Sequence, residues 1–220
     1  MRTVVFDLDG TLVDTAADLV AAANVCFRAR GLGDVLDARA DARTAFRGAR
    51  AMLRAGFERA GQGGEAEVDA DYPRLLEAYG AAIAVHSRPY DGAWGAVETL
   101  KARGFAVAIC TNKPEALAIR LMDAMGTRHV LPALVGADTL PVSKPDPAPY
   151  LEAVRRAGGD PDRSILVGDT ETDARTARAA GVPIVLVGFG PEGAGVSRMA
   201  PDAVLEHFDD LPDLALRLLP

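Results

Sequence analysis

Residues 4–15 read VVFDLDGTLVDT, an apolar run that stops at two aspartates. The apolar run that ends just before Asp7 is typical of a short strand buried on both faces of a parallel sheet. Asp7 then lies where the strand ends, and open α/β sheets bind their ligands at the carboxyl ends of the strands. Asp7 and Asp9 are two residues apart, so their carboxylates leave an extended chain on the same side. The stretch therefore predicts a polar site at the end of the first strand.

Two carboxylates held this close repel each other, and a shared proton, a lysine or a metal ion must relieve the repulsion. A hard divalent cation such as Mg²⁺ fits best, because it prefers oxygen ligands and often takes only one or two carboxylates from a protein. Taken alone, an Asp-x-Asp pair is also compatible with a turn whose acids are simply solvated. The rest of the chain has to decide between these interpretations.

The composition is that of an acidic globular protein. The 220 residues include 31 Asp and Glu against 24 Lys and Arg, which gives a net charge of −7. No long basic run is present, so we expect neither a nucleic acid nor a membrane as a partner. Cys26 and Cys110 are far apart in apolar sequence, as expected of buried, reduced thiols. With no signal-peptide pattern and no apolar stretch long enough for a membrane span, a soluble, cytoplasmic protein is expected.

The sequence changes character after the first strand. Residues 15–87 are rich in Ala, Arg, Leu and Glu with glycine-rich breaks, and we expect them to form a helical cap domain. The cap is inserted into a core domain made of residues 1–14 and 88–220. An insert at the functional end of a sheet is suited to act as a lid. The pattern predicts helices at about 16–30, in a segment broken near Gly48 between 38 and 60, and at about 65–86.

In the rest of the chain, strands and helices alternate. This alternation is typical of βαβ units and predicts, with the first strand, a five-stranded parallel sheet of the α/β, Rossmann-like class. Glycines stand where the predicted helices should end, as left-handed caps require. The predicted strands are 105–110, 133–135, 165–167 and 184–187, and the predicted helices are near 93–103, 114–125, 148–157 and 173–180.

Polar residues follow the second predicted strand as well. Thr111 and Asn112 come directly after it, and Pro114 suits the first position of the next helix. The hydroxyl of Thr111 and the backbone amides of Asn112 and Lys113 would then lie at a helix N-terminus, which is a natural site for a phosphate group. An ordinary helix cap is the alternative interpretation.

Three further candidates lie later in the chain. Lys144 is followed by three prolines within five residues, which hold the lysine in a defined place. There it could pair with a phosphoryl oxygen or offset the charge of the aspartates. Asp169 ends the fourth predicted strand and is a candidate metal ligand, and Asp173 follows one helical turn later. Asp173 could ligate the metal, orient its neighbours or only cap the helix.

This constellation resembles the haloacid dehalogenase superfamily of phosphohydrolases, and the resemblance covers nearly the whole chain. The runs TNKP at 111–114, GADTLP at 136–141 and KPDPAP at 144–149 are similar to the phosphoglycolate phosphatase branch in particular. The four ordered family motifs correspond to Asp7-Leu-Asp9-Gly-Thr11, Thr111, Lys144 and Gly168-Asp169-Thr-Glu-Thr-Asp173.

The resemblance implies a mechanism and a set of site residues. Asp7 would attack phosphorus and form an aspartyl-phosphate, and Asp9 would act first as general acid and then as general base. One Mg²⁺ would be held by the Asp7 carboxylate, the Asp9 backbone carbonyl and Asp169. Asp173 would position these ligands without binding the metal itself. The phosphate oxygens would be held by Thr111, the amide of Asn112 and Lys144.

The implied activity is hydrolysis of a small phosphorylated metabolite, most specifically 2-phosphoglycolate. A broader sugar-phosphate, nucleotide or pyrophosphate phosphatase, a β-phosphoglucomutase-like enzyme and a catalytically silent binding protein are the alternatives. Having an acid at position 9 argues against dehalogenase chemistry, and the absence of lysine from residues 15–87 argues against a Schiff-base lyase. Arg47 and Arg50 could bind a substrate carboxylate, or could belong to a solvated basic face. A monomer or a homodimer is expected.

Overall fold

A computed structural model describes residues 1–219 of the chain, in two compact units. The first, which we call the sheet unit, contains residues 1–13 and the chain from Pro89 onward. The second, the helical unit, contains Asp14–Arg88. The division follows the change in sequence character, because the strand-forming runs lie outside the helical segment. Within residues 1–219, every helix is too short or too polar to cross a bilayer.

The strands of the described residues form two sheets. In chain order they are β1 (Thr3–Phe6), β2 (Val13–Asp14), β3 (Arg88–Pro89), β4 (Ala106–Cys110), β5 (Leu134–Val135), β6 (Ser164–Gly168), β7 (Ile184–Val187) and β8 (Ala203–Leu205). Six of them form a parallel sheet in the order β5-β4-β1-β6-β7-β8, and β2 pairs with β3. The predicted α/β class with a parallel sheet is confirmed.

The number of strands in the main sheet was predicted wrongly, since five were expected and six are present. The missed strand, β8, has only three residues and is half-buried in part, so it lacks the long apolar run that marks the inner strands. Asp202 anchors it by backbone and side-chain hydrogen bonds to Ile184, with its amide 2.9 Å from the Ile184 carbonyl and its Oδ2 2.8 Å from the Ile184 amide.

The centre of the sheet is its most deeply buried part. All four residues of β1 are buried, as expected of a strand covered on both faces. In the register of the sheet, Phe6 lies opposite Ile109 of β4 and Val167 of β6. The three central strands therefore end within about one residue of one another, and the residues that follow them emerge at one edge.

The helices agree with the predicted ones to within a few residues, with two exceptions. The predicted helix 65–86 ends at Ala81, and a final helix was not predicted at all. The helices are α1 (Ala16–Ala29), α2 (Ala42–Phe46), α3 (Ala49–Ala60), α4 (Glu65–Ala81), α5 (Ala93–Ala102), α6 (Glu115–Ala124), α7 (Ala148–Arg156), α8 (Glu171–Ala180) and α9 (Leu211–Leu218). Single 3₁₀ segments lie at Pro161–Arg163, Gly193–Met199 and Phe208–Asp210.

The core of the helical unit is built around an aromatic pair. The rings of Phe27 in α1 and Phe57 in α3 meet edge to face, with centroids 5.3 Å apart. Gly56 allows this approach, because a Cβ atom there would lie 2.0 Å from the Phe27 ring. Edge-to-face pairs of this kind stabilise a core by about 0.5–1.5 kcal/mol beyond the area they bury.

Asp18 joins the two ends of the helical unit. This buried carboxylate on α1 accepts hydrogen bonds from the backbone amides of His86 and Ser87, at 2.9 and 2.8 Å, and from the Ser87 hydroxyl at 2.6 Å. These amides are therefore satisfied by a side chain instead of by helical carbonyls. That arrangement explains why α4 stops short of its predicted end.

Replacing Asp18 by Ala is expected to lower the free energy of unfolding by about 2–4 kcal/mol, because the buried amide and hydroxyl of Ser87 and the partly buried amide of His86 lose a charged acceptor. Urea unfolding followed by circular dichroism measures the change. Asp34→Ala is the matched control, since Asp34 is exposed and pairs only with the exposed Arg28 in the contacts described, and it should shift stability by less than about 1 kcal/mol. Equal shifts in the two variants would contradict this account of Asp18.

Candidate active site

Three strand ends bring polar side chains to one edge of the sheet unit. Asp7 follows β1, Thr111 follows β4 and Asp169 follows β6, and all three residues are buried. The Asp7 amide still donates to the Val167 carbonyl at 2.9 Å, so its backbone continues the pairing of the sheet. Its Oδ1 accepts a hydrogen bond from the Leu8 amide at 2.7 Å. The Asp7 carboxylate is therefore fixed by the strand that carries it.

Lys144 connects two of the aspartates at this edge. Its Nζ lies 2.6 Å from Asp173 Oδ1 and 3.1 Å from Asp7 Oδ1, and its side chain is 2% exposed. Burial acts to lower the pKa of Lys144, but the charges of Asp173 and Asp7 outweigh it and the net pKa is raised. The lysine is therefore a permanent positive charge next to Asp7.

Asp173 organises the turn between β6 and α8. Its Oδ1 is taken by Lys144, while Oδ2 accepts from the hydroxyl and the amide of Thr170, at 2.6 and 3.1 Å, and from the Asp169 amide at 3.3 Å. Gly168 makes room for this side chain, because a Cβ atom there would lie 2.5 Å from Asp173. Both oxygens of Asp173 are thus engaged by the protein itself.

The surroundings of Asp7 and Asp169, the other two buried carboxylates at this edge, disfavour the ionised form of each and so raise its pKa. Burial raises the pKa of Asp7 to about 6, although the charge of Lys144 opposes the shift. Burial, and then the charges of Asp173 and Asp7, raise the pKa of Asp169 well above its ordinary value. Thr11 partly offsets the second shift by donating to Asp169 Oδ1 at 3.0 Å. Both carboxylates would gain from a further positive charge.

The donor set fits a divalent cation. Carboxylate oxygens of Asp7, Asp169 and Asp173 lie within 4.8 Å of one another. Since four carboxylates, counting Asp9, face only two lysine ammonium groups, two negative charges are left over when all are ionised. Hard oxygen donors with this excess charge suit Mg²⁺. Asp173 already accepts four hydrogen bonds, so Asp7 and Asp169 are the better ligands.

The predicted phosphate site lies beside these residues. The Thr111 hydroxyl accepts a hydrogen bond from the Lys113 amide at 3.2 Å, and the Asn112 side chain donates to the Lys144 carbonyl at 2.9 Å. Asn112 thereby links the two loops that carry Thr111 and Lys144. Pro114 was predicted as the first helical residue, but α6 begins at Glu115, whose amide donates to Asp138 Oδ1 at 2.7 Å.

The sequence marked Lys113 only for its backbone amide, which donates to Thr111 Oγ1, and gave its side chain no role. Lys113 is buried, and its Nζ lies 2.9 Å from Asp9 Oδ1. A signal was present, because only three of the 24 basic residues are lysines and two of those three, Lys113 and Lys144, lie in this site. The contact itself joins two loops about a hundred residues apart in the chain, so no local pattern could reveal it.

The two candidate arginines of the helical unit lie on either side of a break between helices. Arg47 follows α2, and Gly48, with φ of 95°, separates it from α3. Arg50 pairs with Asp69 at 2.5 Å and stacks over the Tyr72 ring at 4.6 Å. A continuous basic face, considered as an alternative, is therefore interrupted at Gly48.

The sheet and its polar edge define the class of protein, and comparisons with known proteins identify the family. The model of the haloacid dehalogenase-like hydrolases matches residues 1–181. A phosphoglycolate phosphatase of Mesorhizobium japonicum is 41% identical, covering 98% of this chain and 96% of the relative. A phosphoglycolate phosphatase of Caulobacter vibrioides is also 41% identical, covering 99% and 92%. The chain belongs to the haloacid dehalogenase-like hydrolase family.

A solved structure agrees with this assignment. It is described as a predicted phosphoglycolate phosphatase from Haemophilus somnus 129PT, and it superposes with a TM-score of 0.85 at 26% identity over 97% of each chain. The family resemblance inferred from the sequence motifs is thereby confirmed. The chain is an enzyme, a hydrolase of the phosphatase type.

Proposed function

We propose that this enzyme is a Mg²⁺-dependent phosphomonoesterase that acts through an aspartyl-phosphate and prefers 2-phosphoglycolate. The observation that carries the proposal is the buried Asp7 carboxylate, fixed by the Leu8 amide and paired with Lys144 at the end of the central strand. The names of the relatives in Mesorhizobium and Caulobacter support the choice of substrate.

Asp7 is the nucleophile of the proposed reaction. One of its oxygens attacks phosphorus, the bond from phosphorus to the substrate oxygen breaks, and an aspartyl-phosphate forms. The hydrogen bond from Leu8 and the ion pair with Lys144 hold the carboxylate in place before substrate arrives. Such preorganisation removes the entropy cost of orienting the attacking group.

Asp9 is the proton carrier. It gives a proton to the departing alkoxide in the first step, and then accepts one from the water that hydrolyses the aspartyl-phosphate. The side chain is 15% exposed, so it can exchange protons with solvent between turnovers. Inorganic phosphate and the free alcohol are the products.

Three groups bind the non-bridging oxygens of the phosphoryl group: Lys144, the hydroxyl of Thr111 and the backbone amide of Asn112. Their charge and hydrogen bonds stabilise the transition state, in which negative charge spreads over these oxygens. Lys144 is suited to this task because Asp173 fixes its ammonium group at 2.6 Å. Asn112 is suited to it because its side chain ties its own loop to that of Lys144.

Asp7, Asp169 and the backbone carbonyl of Asp9 would hold the Mg²⁺ ion, with Asp173 supporting Asp169 through the Asp169 amide. When bound, the ion neutralises the excess negative charge and lets an anionic phosphate approach an anionic nucleophile. The raised pKa values of Asp7 and Asp169 support this assignment, because burial, together with the neighbouring carboxylates, disfavours their ionised forms and a bound cation would favour them.

The proposal is tested by the release of inorganic phosphate, measured as kcat/KM with 2-phosphoglycolate, ethyl phosphate, several sugar phosphates, nucleoside monophosphates and pyrophosphate. We expect 2-phosphoglycolate to be preferred by at least about tenfold, which corresponds to about 1.4 kcal/mol of transition-state binding. Removing the metal with EDTA should abolish release, and adding Mg²⁺ back should restore it.

Other outcomes would contradict separate parts of the proposal. A flat or sugar-centred profile would remove 2-phosphoglycolate and keep the phosphatase, and release that persists in EDTA would remove the metal. Interconversion of hexose phosphates without phosphate release would indicate a mutase. If Arg47 or Arg50 binds the substrate carboxylate, its replacement by Ala should raise KM for 2-phosphoglycolate far more than for ethyl phosphate.

A further inference from the structure

Lys113 lies beside Asp9, and the mechanism above gives it no task. Its Nζ is 2.9 Å from Asp9 Oδ1, and its side chain is only 4% exposed. A buried ammonium group is costly unless it is paired at close range and in good geometry. The pairing with Asp9 is therefore a built feature of the sheet unit, unlike an exposed surface ion pair.

The backbone fixes the base of this lysine side chain. The Lys113 amide donates to Thr111 Oγ1 at 3.2 Å, and its carbonyl accepts from the Ala137 amide at 2.9 Å. Pro114, whose ring restricts φ, follows directly and leads into α6. With its backbone held on both sides, Lys113 presents its ammonium group at a defined point.

Asp9 is itself carried by a well-defined turn. It lies beyond the end of β1, in a turn where the Gly10 amide donates to the Val13 carbonyl at 2.9 Å and Gly10 adopts φ of 83°. The turn fixes the backbone of Asp9, and the ion pair with Lys113 fixes one oxygen of its carboxylate. Holding Oδ1 on Lys113 also sets the direction in which Oδ2 points.

Lysine suits this position better than arginine does. Lys144 pairs with Asp7 and Asp173, and Lys113 pairs with Asp9. All but one of the other basic residues of the chain are arginines. A guanidinium forks around a carboxylate and engages both oxygens, whereas an ammonium is a compact point charge. A lysine can therefore hold Asp9 through one oxygen, as Lys113 does at Oδ1, whereas an arginine would engage both.

We infer that Lys113 is a positioning residue that aims the Asp9 carboxylate at the leaving-group oxygen. The inference rests on the proposed function, in which Asp9 protonates that oxygen. A correctly positioned general acid raises the rate most when the leaving group is a poor one, such as an alkoxide. It raises the rate least when the leaving group departs readily, as an aryl oxide does. Leaving-group dependence therefore separates positioning of the acid from a general structural role.

The experiment compares kcat/KM for three substrates in the full-length, Mg²⁺-loaded enzyme. 2-Phosphoglycolate and ethyl phosphate both have alkoxide leaving groups, and only the first carries a carboxylate, while p-nitrophenyl phosphate has an aryl oxide. Because kcat/KM covers the steps up to departure of the leaving group, the later role of Asp9 as a base does not enter. The variants are Lys113→Met and Lys113→Arg, with Lys101→Met as control because Lys101 pairs with the exposed Glu98.

Lys113→Met should lose about 100-fold on both alkyl phosphates and less than about threefold on p-nitrophenyl phosphate. Lys113→Arg keeps the charge and should show the same selective loss, since its fork occupies both Asp9 oxygens. It decides the question if the Met variant does not fold. Lys101→Met should behave as the wild type.

Three results would overturn the inference. Equal losses on all three substrates would mean that Lys113 only supports the structure. A loss confined to 2-phosphoglycolate would mean that it binds the substrate carboxylate. A wild type that hydrolyses no phosphomonoester would refute the proposed function and this inference with it, whereas a wild type that merely disfavours 2-phosphoglycolate leaves the comparison of ethyl with p-nitrophenyl phosphate decisive.

Discussion

Asp7→Asn is expected to reduce turnover by about 10⁴-fold or more, since the substitution removes the attacking oxygen charge and leaves the fold in place. Asparagine is nearly isosteric and keeps a carbonyl oxygen that can accept from the Leu8 amide. Steady-state phosphate release measures the loss. The intermediate itself is sought in Asp9→Asn with p-nitrophenyl phosphate, whose leaving group departs without a general acid, so that only the later hydrolysis lacks its base. After acid quench, mass spectrometry should find one added phosphoryl group on a peptide containing Asp7.

The same substitution should not weaken the metal-free protein. The pKa of Asp7 is raised to about 6, so above that pH the ionised carboxyl is less stable in the folded state than in the unfolded chain. Without metal at pH 7.5, Asp7→Asn should therefore unfold at the same or a higher temperature than the wild type. The gain should shrink as the pH falls from about 6 towards 4, because the wild-type carboxyl then takes up its proton. Asp123→Asn, on the exposed side of α6, should change neither activity nor stability, and a destabilised Asp7→Asn would contradict this view of the site.

Lys144→Met is expected to lower kcat/KM by about 10³-fold and to destabilise the metal-free enzyme by roughly 3–5 kcal/mol. The first effect is the loss of a positive charge that stabilises the transferring phosphoryl group. The second arises because the buried carboxylates of Asp7 and Asp173 lose their shared counter-ion. Thermal unfolding in EDTA and phosphate release in Mg²⁺ measure the two effects separately.

A double variant separates the two tasks of this lysine. Removing the charge of its main partner as well, in Lys144→Met/Asp173→Asn, should recover part of the lost stability because fewer uncompensated charges stay buried. Activity should stay low, since the lysine that binds the phosphoryl oxygens in the proposed reaction is still missing. Recovery of activity together with stability would show that Lys144 acts only through folding.

The strand-end residues could be predicted because each was marked by the same local signal, a buried apolar run that stops at a polar side chain. Asp7, Thr111 and Asp169 all carry that signal, and the parallel register brings them to one edge. Their catalytic roles stay predictions until the variants above are measured. Lys144 was marked by its prolines, whereas Lys113 stood among residues interpreted as a helix start and its partner lies in another loop.

Two of the features that sequence reasoning missed are stabilised mainly by distant parts of the chain. β8 depends on Asp202, which pairs with the start of β7. The missed helix α9, in contrast, carries a local signal, with Pro212 in its first turn and Leu211, Leu214 and Ala215 buried at helical spacing. The early end of α4 depends on Asp18, which lies almost seventy residues earlier and accepts hydrogen bonds from the amides of His86 and Ser87. Propensity and periodicity describe neighbours in sequence, so these long-range partners lie outside their reach.

The Asp18 carboxylate also bears on how a segment of this size can be accommodated between two strands. By tying the start of α1 to Ser87, it closes the helical unit on itself through its own residues. Contacts within the insert therefore offset the entropy cost of bringing its two ends together. For the sheet unit, the insert then acts as a short connection and not as a flexible loop of some seventy residues. Units whose two ends lie close together are the ones that tolerate insertion into another chain. The helical unit therefore has the properties of a self-contained insert.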